Sequence, residues 1–258
     1  MRVYWKLILL NLESQMQYKL SFLMTVIGQF VTSFVGVFGV SFMFGYMSEI
    51  GEFSYNEVLL CFAIVTLAFS IGETFGGGLA VFAGILGNGE FDRALVRPRN
   101  VVLQLLAPRV DFTRIGLLLQ AVLVLIYALP LCHVAWNCQK IITICLMIIC
   151  GSILFFALFL FKASFSFFTV QSLDFLNLFT YGAREFGKYP FSIYGKGILN
   201  ILTYVIPLAL FQYYPLLYLL DKRTEEYYML FPVLSLLFLI PCYILFMFGV
   251  RRYKSTGS

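Results

Sequence analysis

Two clusters in this chain have residue types and spacings that invite chemistry. Cys132, His133 and Cys138 fall together in LCHVAWNCQK, and two thiols beside an imidazole are the beginning of a zinc donor set. The spacing matches no common zinc pattern and no fourth ligand accompanies it, so no metal is expected. The two thiols can close a disulfide across the intervening residues in an oxidising compartment, or stay free, because so short a loop strains the bond. The second cluster, GETFGGGLAVFAG at 72–84, has the glycines of a phosphate-binding loop but no Lys-Ser/Thr partner, and it lies inside an apolar run. Small residues there suit close helix packing or a bend. Neither G-x-x-x-x-G-K-[ST], H-E-x-x-H nor G-x-S-x-G occurs, so no catalytic, cofactor or metal residue is assigned and the chain is not expected to be an enzyme.

Hydropathy dictates the elements that position these residues. Of the 258 residues, 61% are hydrophobic, 18% aromatic and 12% charged, against about 25% charged in soluble domains. The chain is therefore a membrane protein. Its net charge of +5 does not indicate nucleic acid, because Lys and Arg are scattered between apolar runs. Charge-free windows lie between Lys19 and Glu49, Arg114 and Lys140, Lys140 and Lys162, Lys196 and Asp221, and Glu226 and Arg251. Each exceeds the roughly 20 residues that cross a hydrocarbon core. A sixth span runs from Val58 to about Ala83, interrupted only by Glu73. The expected fold is all-α, one polytopic domain over 1–258 with six transmembrane helices. Of eighteen Lys and Arg, only Lys140, Lys222 and Arg223 fall on the side opposite the termini, which puts both termini in the cytoplasm. Loops 48–56, 131–140 and 215–228 then face out.

Residues 1–19 have the outline of a signal peptide, but Leu7–Leu10 is short, no cleavage site follows, and Glu13 and Lys19 intervene. Val3, Leu7, Leu10 and Ser14 share a helical face, so an amphipathic interfacial helix is expected, with a plain extension of the first span as the alternative. Cys61, Cys145, Cys150 and Cys242 fall in spans and read as packing residues. Glu73 is the one carboxylate inside a span, roughly 24 Å along the helix from Glu57. It either meets an Arg of the inner loop or contacts cationic cargo in a pathway.

The wettest stretch is GNGEFDRALVRPRN, 87–100, within a cytoplasmic loop over 84–109. Gly87 and Gly89 end one helix, Glu90 and Asp92 suit the first turn of the next, and Arg93, Arg97 and Arg99 follow. A short charged helix set against the membrane is a docking element. QSLDFLNLFTYGAREFGKYPFSIYGK, spanning 171–196, is rich in Phe and Tyr and less apolar than a span; one or two cytoplasmic surface helices are expected there, with Tyr189-Pro190 turning the chain toward the fifth transmembrane helix. Pro207, Pro232 and Pro241 bend the last two helices.

GEFDRALVRPRN, the aromatic FGKYPFSIYGKGILNILTYVIPLALFQYYP at 186–215 and the closing FGVRRYKSTGS resemble the permease subunits of ABC-2-type ATP-binding-cassette transporters, in order and over most of the chain. The resemblance implies a multi-pass permease of the bacterial inner membrane that pairs with a separate ABC ATPase, which carries the ATP and Mg. It also implies a second permease copy or a related permease, membrane lipid around the pair, and export as the direction. By the same resemblance Glu90, Phe91, Asp92, Arg93, Leu95 and Arg97 form the coupling helix, with Phe91 as the apolar anchor in the ATPase groove. Two other classes remain, a gradient-driven carrier and a membrane-embedded enzyme or assembly factor. The first should show several buried charges and repeated halves, the second a cluster of acid, base or metal residues at one depth. The substrate is not legible, since helices rich in aromatics suit an amphipathic cargo and lipid equally.

Overall fold

The computed structural model describes residues 2–96, 100–169 and 174–254. Its regular structure is helical: α1 (Arg2–Gln15), α2 (Lys19–Phe44), α3 (Tyr55–Ala80), α4 (Phe82–Gly87), α5 (Glu90–Leu95), α6 (Val101–Leu106), α7 (Ile115–Leu131) and α8 (Cys138–Phe165) come first. Then follow α9 (Ala183–Gly187), α10 (Gly195–Tyr204), α11 (Leu208–Phe211), α12 (Tyr213–Leu219), α13 (Phe231–Ser235) and α14 (Leu239–Arg252). Five runs are long and apolar enough to cross a membrane: Tyr4–Phe44, Tyr55–Gly87, Phe112–Leu131, Cys138–Phe165 and Glu226–Arg252. The pair Phe191–Tyr204 and Leu208–Leu219, bent by 92°, is the sixth candidate.

α3 is the axis, buried along most of its length. Its start is set by a capping box in which the Ser54 N–H donates to Glu57 at 2.7 Å, satisfying donors that the helix cannot satisfy itself. Its glycines are there for close approach. A Cβ on Gly72 would sit 2.8 Å from the Ser152 carbonyl of α8, on Gly77 2.8 Å from the Arg109 carbonyl, and on Gly78 2.6 Å from the Leu105 carbonyl. The Gly-rich run is thus a backbone-to-backbone seam, with α8 on one side and residues 105–109 on the other. α2 stands at the periphery, with most of its surface exposed, and packs on α7 where Gly116 meets the Val26 carbonyl.

α1 joins α2 through one 3-10 turn, Met16–Tyr18. Asn11 and Gln15 donate to the Val110 carbonyl at 2.7 and 2.6 Å, and the Phe112 N–H donates to Gln15 at 3.1 Å. Trp5, Leu9 and Leu10 are exposed instead. The polar face clasps the protein and the apolar face is left for lipid.

From sequence, 171–196 is expected at the same end of the bundle as 84–109; its described part, 174–196, crosses the bundle. Tyr181 packs on Phe69 and Phe159, the Gly187 carbonyl accepts from Cys61 at 3.5 Å, and Lys188 lies over the Phe62 ring. Ser192 Oγ then comes within 3.6 Å of a Cβ position on Gly51, in the loop before α3. A five-residue π turn, Leu178–Gly182, and α9 make this irregular passage. Leu208–Leu219 returns to the end already reached, where Tyr218 bonds Gln139 and Asp221 pairs with Lys140 at 2.6 Å. Both ends of the bent pair therefore lie near the 45–54 end of the bundle. Irregular backbone at this depth is tolerated where protein buries it, as at Thr180, Ala183, Gly187 and Lys188. Lys196 belongs with the 45–54 end, while Arg184 and Lys188 belong to the interior.

This path predicts labelling. On a background lacking the native cysteines, Lys196→Cys should react in intact cells with an impermeant thiol reagent, as Glu49→Cys does, while Arg93→Cys stays protected. Protection of Lys196→Cys alongside Arg93→Cys would put the crossing back in 195–219.

Candidate functional site

Where 174–191 climbs along α3, it lines up ionisable side chains that lie far apart in sequence. Asp111, in the segment before α7, holds Arg114 at 3.0 Å, and Arg114 reaches Glu73 of α3 at 3.1 Å. Glu73 is 2% exposed and neither oxygen has a well-aligned hydrogen bond, so its charge is held by Arg114, with the Tyr181 hydroxyl beside it. Further along, Arg184 Nε is 3.8 Å from Glu185, and Lys188 donates to both Glu185 oxygens at 2.6 Å. Negative and positive groups alternate from Asp111 to Lys188. Isolated, each would be expelled from so apolar a bundle; in alternation each screens its neighbours. Aromatic faces complete the wall, with Arg184 5.0 Å from the Phe69 centroid and Lys188 5.3 Å from that of Phe62. Such cation–ring contacts strengthen as water is removed.

The upper rungs open on a cleft of about 320 Å³ between α2, the start of α7 and α9. Gln29, Thr32, Ser33 and Gly36 form the α2 wall; Arg114, Arg184, Glu185 and Lys188 form the other. Thr32 and Ser33 donate to carbonyls of their own helix, at 2.7 Å each, so their hydroxyl oxygens are left as acceptors. Of these residues only Glu73 is an expected site residue. The signal for the others was an Arg, a Glu and a Lys in α9-type spacing, hidden in a stretch whose average hydropathy is low.

The 84–109 loop is built on an aromatic cluster. Gly89 takes the left-handed conformation, φ +69°, that lets α5 turn back on α4. Phe91 is fully buried, with ring centroids 5.4 Å from Phe82, 5.4 Å from Phe167 and 5.1 Å from Tyr253. It is expected from sequence to point outward as an anchor. The reason it does not is that Phe82, Ile85, Leu86 and Phe91 form one apolar face against the ends of α8 and α14. Glu90 pairs with Arg109, Asp92 is half-buried, Arg93 and Leu95 are exposed, and Arg97 lies outside the described residues. Val96, at 85%, is more exposed than the loop's other described apolar side chains, Leu103 and Leu95 among them.

The Cys132 thiol donates to the Asn56 carbonyl at 3.3 Å and burial, with the Glu57 charge second, pushes it up to about 12. Cys132 and Cys138 are both free thiols.

The family description "ABC-2 family transporter protein" matches residues 30–257. The chain belongs to the ABC-2 transporter family. It is thus a multi-pass transport permease, and the loop and the cleft are to be understood as parts of one. No curated protein and no solved structure matches the chain significantly.

The burial of Phe91 in this permease predicts a stability effect. Phe91→Ala should lower the unfolding free energy in detergent by about 3–5 kcal/mol, the range for a buried Phe, seen as a fall in thermal midpoint, whereas Leu95→Ala should leave the midpoint within a degree or two. Equal midpoints for wild type and Phe91→Ala would mean that the ring is not held by the bundle.

Proposed function

We propose that the chain is the permease subunit of an ATP-driven exporter of the bacterial cytoplasmic membrane. A separate ABC ATPase binds the ATP and Mg, and a second permease copy or a related permease completes the pathway. The observation that carries the proposal is the α2–α9 face. Charges at the middle of a membrane helix cost about 2.5–3.5 kcal/mol each when left to lipid, so a cleft lined by Arg114, Arg184, Glu185 and Lys188 belongs on protein or water. The same face of α2 carries Ser21, Thr25, Gly28 and Thr32, all exposed. Thr25 and Thr32 donate back to Ser21 and Gly28 at 2.9 and 2.7 Å, leaving a flat surface of small residues. Such surfaces admit another helix closely.

Each permease would then supply one wall of the pathway. The 84–109 loop, expected in the cytoplasm, would meet the ATPase with the side that Phe91 leaves free, namely Arg93, Leu95 and Val96. Because Phe91 ties α5 to α8 and α14, displacement of α5 by the ATPase would move both helices together.

The test separates docking from stability. Affinity-tagged chain drawn from native membranes should bring down an ABC ATPase and show ATP turnover, and the chain stripped of it should show none. Val96→Asp should reduce ATPase recovery by about tenfold or more, the loss expected for a contact near 1.4 kcal/mol or above, with an unchanged thermal midpoint. Recovery of the chain without any ATPase, or full recovery with Val96→Asp, would contradict the coupling role.

A further inference from the structure

Two buried polar atoms on opposite walls of the α2–α9 cleft have no partner. Arg184 Nε makes no hydrogen bond among the described residues, its side chain is 18% exposed, and the nearest carboxylate, Glu185, is 3.8 Å away and already shared with Lys188. Gln29 Oε1 is likewise unpaired, while its amide nitrogen donates to Thr113 at 3.3 Å. A buried donor or acceptor left unmade costs about 1–3 kcal/mol, and such atoms are rarely left so without a role. One wall therefore offers a cationic donor, and the other offers acceptors: Gln29 Oε1 and the lone pairs of Thr32 and Ser33.

Resting on the permease reading, we infer that the cleft binds the polar head of an amphipathic cargo: an acidic oxygen on Arg184 and, on the same head, an ammonium N–H donor that Gln29 accepts. Arg184 and Lys188 share the Glu185 carboxylate, and Glu73, the next acid along, is held by Arg114. A planar guanidinium suits a phosphate or carboxylate edge, with two parallel N–H bonds available. The amphipathic part follows from the surroundings: Val35 and Leu117 line the cleft, and its open side adjoins the exposed apolar residues Val31 and Phe38 of α2. A tail can stay in that apolar surface while the head enters.

Equilibrium binding to the purified full chain in maltoside, without the ATPase, tests this with three probes. Lysophosphatidylethanolamine carries the phosphate, the N–H donors and a tail; lysophosphatidylcholine lacks the N–H donors; O-phosphoethanolamine lacks the tail. Wild type should bind the first saturably, several-fold more tightly than the second and at least tenfold more tightly than the third. Arg184→Gln should weaken the first by tenfold or more, with partial recovery in Arg184→Lys. Gln29→Leu, a second route should Arg184→Gln fold poorly, should bring the first two probes to parity. Unaltered binding in Arg184→Gln, or absence of saturable binding to wild type, would overturn the site; equal binding of O-phosphoethanolamine would overturn the amphipathic cargo. ATPase recovery plays no part, so this site can fail while the permease–ATPase reading stands.

Discussion

Charge must be neutralised locally inside an apolar bundle, and much of this architecture follows from how that is done. Arg114 sits where α7 begins, so its guanidinium reaches Glu73 on α3 and Asp111 in its own approach segment. Arg184 and Lys188, four residues apart, lie over Phe69 and Phe62, seven apart on α3. Both intervals bring side chains to one face of a helix. The crossing at 174–191 is short and irregular because it packs its polar side chains against α2, α3 and α7 and needs no lipid-facing stripe around its whole circumference. Glycines do the rest, letting α3 approach α8 and residues 105–109 closely enough that little space remains for water around Glu73.

The two ends of the molecule are held differently. At one end, Lys222 pairs with Glu57 at 3.1 Å, donates to the Glu52 carbonyl at 2.6 Å and lies over the Phe53 ring, while Lys140 holds Asp221. At the other, Phe82, Phe91, Phe167, Phe246 and Tyr253 interlock. Edge-to-face rings pack densely and resist shear. These rings tie α5 to the ends of α8 and α14, and the charged rungs lie between this end and the one held by Lys222 and Lys140.

Much of the plan was legible in the sequence. Charge-free windows marked α2, α7, α8 and the final run, and the apolar stretch around Glu73 marked α3, because length and hydropathy alone decide these. The Gly-rich run was legible as packing, though not which neighbours it meets. The 171–196 stretch was not, since Arg184 and Lys188 lower its average hydropathy whether they face water or a buried ladder. Only long-range contacts, to Phe62 and Phe69, separate the two. Phe91 misled for a different reason. Six residues of α5 carry too little periodicity to say which side is apolar-in, and its partners Phe167 and Tyr253 are distant in sequence. Arg114 was counted toward orientation, while its pairing with Glu73 depends on α7 starting immediately after it.

On the function proposed, the polar face of α2 that walls the charged cleft is turned from lipid toward a pathway. Spin labels on Thr32→Cys and on Ile27→Cys, about 140° around the helix at 100° per residue, compared in the reconstituted protein, address it most directly. The Thr32 label should relax with a water-soluble nickel complex or be shielded from both relaxants, while the Ile27 label responds to oxygen. A Thr32 label as responsive to oxygen as Ile27, and as indifferent to nickel, would show that the face meets lipid and would contradict the account.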